Sequence, residues 1–164
     1  MNTSETILYI VWALAILFLL FIPVQRRREA SICFLFQQFV TWFLGILVVE
    51  MNLIAYPVRL FADVNQTSFT FEFIIYPTMG VFYILLYPVC KQMYYRIFYT
   101  ISFVTAITIS EIILEKYTDT IEYIQWNWLY SWISLCLTLL LLKVFYNWYF
   151  QVKVKERKKT TYSL

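Results

Sequence analysis

Four long stretches of this chain carry no charged residue, and a fifth carries one. Ile7 to Val24, Ala30 to Val49, Phe73 to Cys90 and Tyr123 to Leu142 lack Asp, Glu, Lys and Arg, and Ile97 to Leu114 contains only Glu111. A membrane-spanning helix needs about 20 mostly apolar residues. Runs such as Leu137-Thr138-Leu139-Leu140-Leu141-Leu142 do not alternate apolar with polar residues, as the strands of a membrane barrel must. Composition points the same way. Of 164 residues 62% are hydrophobic and 14% charged, against roughly 45–50% and about 25% in soluble domains. A globule this small cannot hide so much apolar surface from water, and so apolar a chain would not stay disordered. A net charge of only +3, without a basic patch on a soluble fold, excludes most nucleic-acid binders.

The expected fold is therefore an all-α membrane protein, a five-transmembrane-helix bundle in a single domain over residues 1–150. Its spans fall near 7–24, 30–52, 72–90, 97–115 and 123–145, and a basic cytoplasmic tail covers 151–164. Short connections make helices adjacent in sequence neighbours in space. The first span is expected to be retained. No positive charge precedes it, and Pro23-Val24-Gln25-Arg26-Arg27-Arg28 at its end is not a small-residue cleavage site.

Lys and Arg concentrate on the cytoplasmic side of membrane proteins. With Arg26, Arg27 and Arg28 in the cytoplasm, strict alternation places eleven of the thirteen basic residues inside and leaves Arg59 and Lys116 outside. The acids sort oppositely, giving +9 inside and −6 outside. The expected orientation is N-terminus outside and C-terminus cytoplasmic. Trp126, Trp128 and Trp132 at one end of the fifth span, and Tyr146, Trp148 and Tyr149 at the other, read as two interfacial belts. The tail Lys153 to Lys159 reads as a solvated basic run lying against anionic headgroups.

Charges inside a membrane are costly and mark candidate function. Glu111 is the clearest case, and Glu115, one turn on, shares its helix face. Thr105 and Thr108 extend that stripe backwards. Ser131, Ser134 and Thr138 form a stripe on the fifth helix, and Gln38, Thr41, Gly45 and Asn52 one on the second. Such stripes hold helices together in lipid; equally, they can line a polar cavity. Glu50 closes the second helix. Glu72 opens the third, where it reads as a cap, with Ser68 and Thr70 as alternative caps. Glu50, Arg59, Glu72, Glu111 and Glu115 thus form a candidate outer polar cluster, with Arg59 as counter-charge to one of the acids. Pro77, with Gly80 three residues on, is expected to kink the third helix.

Enzyme chemistry has little foothold. The chain has no histidine, no Cys-x-x-Cys and no glycine-rich phosphate loop. Three dispersed cysteines, Cys33, Cys90 and Cys136, read as small buried hydrophobes. No catalytic, cofactor-binding or metal-ligating residue is expected, and no cofactor.

Two stretches carry a resemblance: Asn65-Gln66-Thr67-Ser68-Phe69-Thr70-Phe71-Glu72-Phe73 running on to Tyr76-Pro77, and Glu115-Lys116-Tyr117-Thr118 running on to Trp126-Asn127-Trp128. With Arg26-Arg27-Arg28-Glu29-Ala30 after the first helix, the chain resembles a family of small five-helix integral membrane proteins of spore-forming Gram-positive bacteria. The resemblance implies five helices and a plasma or spore membrane; it carries no activity and no functional residues. The leading functional expectation is a non-enzymatic multi-pass protein acting by assembly with itself, as a homo-oligomer, or with a membrane protein partner. Its surroundings are the lipid bilayer, and no nucleic acid is involved. The alternative is a small proton or cation channel or carrier using outward-facing carboxylates.

Overall fold

A computed structural model describes residues 3–151; the basic tail expected over 151–164 lies, after Gln151, outside the described residues. Five α-helices dominate: α1 (Thr3–Leu20), α2 (Arg27–Glu50), α3 (Tyr76–Leu85), α4 (Met93–Tyr117) and α5 (Trp128–Tyr149). A 3-10 turn, Val24–Arg26, precedes α2, and a π-helical turn, Phe71–Ile75, runs straight into α3. Three helical segments are long and apolar enough to cross a membrane: Val24–Glu50, Met93–Tyr117 and Trp128–Tyr149. Thr6–Leu20 and Phe71–Leu85 are apolar but shorter. Two prolines account for the shortening. Pro23 stops α1 before residue 24, and Pro88 stops α3 well before residue 90, because proline disfavours helix in the residue before it and offers no N–H.

Two short strands were not foreseen. Ile54–Ala55 (β1) pairs antiparallel with Glu122–Tyr123 (β2), Ile54 opposite Tyr123. Residue 123 therefore belongs to a strand rather than to the fifth helix, which starts five residues later. Its start is set by Asn127, whose side-chain oxygen accepts from the amides of Leu129 (3.0 Å) and Tyr130 (3.1 Å).

Helix α2 is central, packing on α3, the π-helical turn and α5, while α4 packs on α5 and α1 lies over the π turn and α3. The end of the bundle holding the α2 N-terminus carries the larger apolar core. Cys33, Val81, Tyr83, Ile84, Val104, Leu139 and Leu142 are buried there, and Phe36 stacks on Phe145 with centroids 3.9 Å apart. The same end is tied by Arg26, which pairs with Glu29 (3.1 Å) and donates to the Leu85 carbonyl (2.8 Å). Tyr146 from α5 donates to Glu29 (3.3 Å), and the Lys143 ammonium lies 4.1 Å from the Tyr87 ring centre. The other end, under β1, β2 and the 51–70 loop, is different.

Candidate functional site

Pro77 is where the local sequence shapes the site. It has no N–H for the carbonyls of Phe73 and Glu72, four and five residues back. The helix meets the gap with a wider turn, in which the Tyr76 amide reaches back to the Phe71 carbonyl. The two freed carbonyls take donors from α2: Gln38 Nε2 on Phe73 (3.2 Å) and Thr41 Oγ1 on Glu72 (2.8 Å). Membrane helices tolerate a break in their ladder by the same kind of substitution. The expected disturbance at Pro77 thus takes the form of a π-helical turn on its N-terminal side. Gly80 allows close helix packing there, since a Cβ on it would lie 2.9 Å from Gln37 Cγ and 3.0 Å from Leu142 Cδ2.

The wider turn aims Glu72 inward. Glu72 is 2% exposed, and neither carboxylate oxygen has a hydrogen-bond partner. Thr67 lies beside it, but gives its hydroxyl proton to Asn65 Oδ1 (3.0 Å). On the α2 side the carboxyl rests against Gly45 so closely that a Cβ there would overlap it.

The Glu72 carboxyl borders a cavity of about 180 Å³ that Glu111 also lines. Glu111 is 6% exposed. Its Oε1 accepts from Tyr123 Oη (2.9 Å) and Ser131 Oγ (2.8 Å), and Ser131 in turn accepts from Trp126 Nε1 (2.8 Å). Its Oε2 has no partner. The walls combine hydroxyls (Thr41, Ser134, Thr138), rings (Tyr56, Tyr76, Trp126) and aliphatic groups (Leu44, Val48, Ile54, Leu135). Tyr56, in the loop after α2, is buried; burial above all, with the charges of Glu72 and Glu111 adding, pushes its phenol well above the usual value. It therefore presents a neutral hydroxyl. No basic residue lines the cavity.

Of the five residues of the expected cluster, two, Glu72 and Glu111, line the same cavity. Glu50 is exposed at the C-terminus of α2, and Glu115 is half-buried outside the cavity. Arg59 does not pair with these acids. Its guanidinium spans the carbonyls of Asn65 (2.7 Å), Tyr56 (2.8 Å) and Ala62 (3.2 Å) and braces its own loop. Glu72 is not a helix cap either: Ser68 Oγ accepts from the Phe71 amide (3.4 Å), and Thr70 Oγ1 accepts from Trp12 Nε1 (3.0 Å).

Part of each polar stripe reaches the cavity, while Gln38, Asn52, Thr105 and Thr108 do not line it. Thr41 and Gly45, Glu111, and Ser131, Ser134 and Thr138 all border the cavity. The tryptophans divide. Trp128 and Trp148 are exposed, whereas Trp126 and Trp132 turn their N–H groups inward, onto Ser131 and Thr105 Oγ1 (3.1 Å). Sequence reasoning missed Tyr56, Tyr76 and Tyr123 as site residues. The repeated Tyr-Pro dipeptide was a signal for the first two. Among the described residues no group of three or more Cys, Asp or Glu side chains comes together to hold a metal ion.

Comparison with protein-family models, with curated proteins and with solved structures finds no match for this chain.

Proposed function

We propose that this is a non-enzymatic membrane protein that binds and carries a cation or proton through Glu72 and Glu111. One observation carries the reading: Glu72 is buried against the cavity with both carboxylate oxygens unpartnered and no basic side chain facing it. A buried carboxylate without donors is stable only when protonated or matched by a positive ligand. The apolar core in the other half of the bundle suits a carrier that opens to one side at a time better than a continuous polar pore.

In the same proposal all five apolar segments cross the membrane, the two shorter ones supported by packing and local bilayer thinning. The N-terminus lies outside, the C-terminus is cytoplasmic, and the membrane is the plasma or spore membrane of a spore-forming Gram-positive bacterium, as the family resemblance suggests. The test is flux. Purified protein in liposomes carrying a pH-sensitive dye should dissipate an imposed pH gradient, and Glu72→Gln should abolish most of that activity. Flux equal to that of protein-free liposomes, or indifferent to Glu72→Gln, would overturn the reading.

The competing proposal, a role through assembly with itself or a membrane partner, draws on the outer side of α4. Ile97, Phe98, Ile101, Ile109 and Ile113 are all exposed there. The mass of the complex purified in mild detergent tests it: a stoichiometric second copy or second chain supports assembly, and a lone monomer removes it.

A further inference from the structure

The chemistry of the cavity is specific enough to name a ligand class. Its walls carry carboxyl oxygens that are buried without a hydrogen-bond partner: both oxygens of Glu72 and Oε2 of Glu111. A primary ammonium has three N–H donors and no acceptor, so it can meet both Glu72 oxygens without bringing an unmet acceptor of its own. The rest of the wall suits a short hydrocarbon body. Leu44, Val48 and Leu135 are aliphatic, and the rings of Tyr76 and Trp126 present faces that attract a cation. Alkali and alkaline-earth ions fit less well, because they replace their hydration shell with a dense cage of oxygens. Here much of the wall is carbon. The volume, about 180 Å³, slightly exceeds the roughly 150 Å³ of an apolar cavity that holds benzene.

We infer that the cavity beside Glu72 binds a small aliphatic primary amine in its ammonium form, the head on the Glu72 carboxylate and the chain against Leu44, Val48 and Leu135. This rests on the cation-carrier reading and narrows it. Binding replaces protons. A neutral empty site holds its carboxyls as acids, so an arriving ammonium displaces a proton, which leaves to solvent. The titratable groups facing the cavity are Glu72, Glu111, Tyr56 and Tyr76, with Tyr123 on Glu111.

The experiment uses the full chain in mild detergent, with n-butylammonium chloride as probe and n-butanol, NaCl and KCl as comparisons. Titration calorimetry should show saturable binding of butylammonium alone, with proton release that changes with the buffer. A carbodiimide added to the complex should then join the bound amine to Glu72 or Glu111 as a butylamide, read by peptide mass. Glu72→Gln should weaken binding about tenfold or more, the loss expected for a charge-assisted hydrogen bond, while Glu50→Gln should leave it unchanged. The coupling uses the unaltered chain, so it decides even where the Glu72 variant fails to fold.

No saturable butylammonium binding, or a butylamide only at residues outside the cavity, overturns the inference. Binding of Na⁺ or K⁺ in its place overturns it and leaves the cation-carrier reading standing. Proton flux that depends on Glu72 with no cation bound overturns it and leaves a proton carrier. Loss of both binding and flux removes both readings.

Discussion

At the scale of single residues the site depends on Gly45 as much as on the carboxylates. A glycine inside a helix costs about 0.5–1 kcal/mol relative to alanine, and this chain uses only two glycines in all. Both sit at close approaches between helices. Gly45→Ala would place a methyl group where the Glu72 carboxyl lies. The carboxyl is the free end of a flexible side chain, so it should yield while the helices stay where they are. The gain in helix propensity offsets the local crowding. We expect Gly45→Ala to melt in detergent close to the parent, while Glu72-dependent flux falls about tenfold, as it would on losing one charge-assisted contact. Full flux in a folded Gly45→Ala protein would mean that the carboxyl is not needed at that place.

At the scale of elements, the pairing of α2 with the π-helical turn and α3 is set by Pro77. Gln38 and Thr41 hydrogen-bond the carbonyls that the proline leaves without an amide. Thr41→Val should therefore cost about 0.6 kcal/mol, the average measured for interhelical hydrogen bonds in a membrane, and no more than about 1.7. In a Pro77→Ala background, where the restored amide can serve one of those carbonyls, the same change should cost less. A double-mutant cycle on detergent stability should then show coupling of about 0.5 kcal/mol or more; simple additivity would mean that the proline and the threonine act independently.

The two partners of this contact differed in how readable they were. The α2 stripe follows the 3.6-residue period, and Thr41 and Gly45 were identified on it as facing a neighbour. Glu72 was assigned to a helix terminus, because an acid opening an apolar run matches the cap pattern. What places it inside is a π turn, which depends on a proline five residues later and on α2 donors some thirty residues earlier. Local periodicity holds neither. Strands β1 and β2 were hidden for a similar reason. Each is two residues long, and their pairing joins parts of the chain nearly seventy residues apart. Tyr123, carried on β2, reaches Glu111 only through that pairing.

At the scale of the whole molecule the question is which segments cross the bilayer, and two positions answer it. The long apolar helices are Val24–Glu50, Met93–Tyr117 and Trp128–Tyr149. Were these the only spans, residues 51–92 would form one connection lying wholly on one side. Reporters fused after Val64 and after Gln92 would then agree. If Phe71–Leu85 also crosses, the two reporters must disagree. Charge says which way: Arg26, Arg27, Arg28, Lys91, Arg96 and Lys143 gather at the end of the bundle holding the α2 N-terminus, and most of the acids at the cavity end. We expect an external signal after Val64 and a cytoplasmic one after Gln92, which sets the mouth of the cavity toward the outside. Matching signals would reduce Phe71–Leu85 to a segment that enters the membrane without crossing it. An external signal after Gln92 alone would invert the molecule, and Glu72 and Glu111 would then meet their ligand from the cytoplasm.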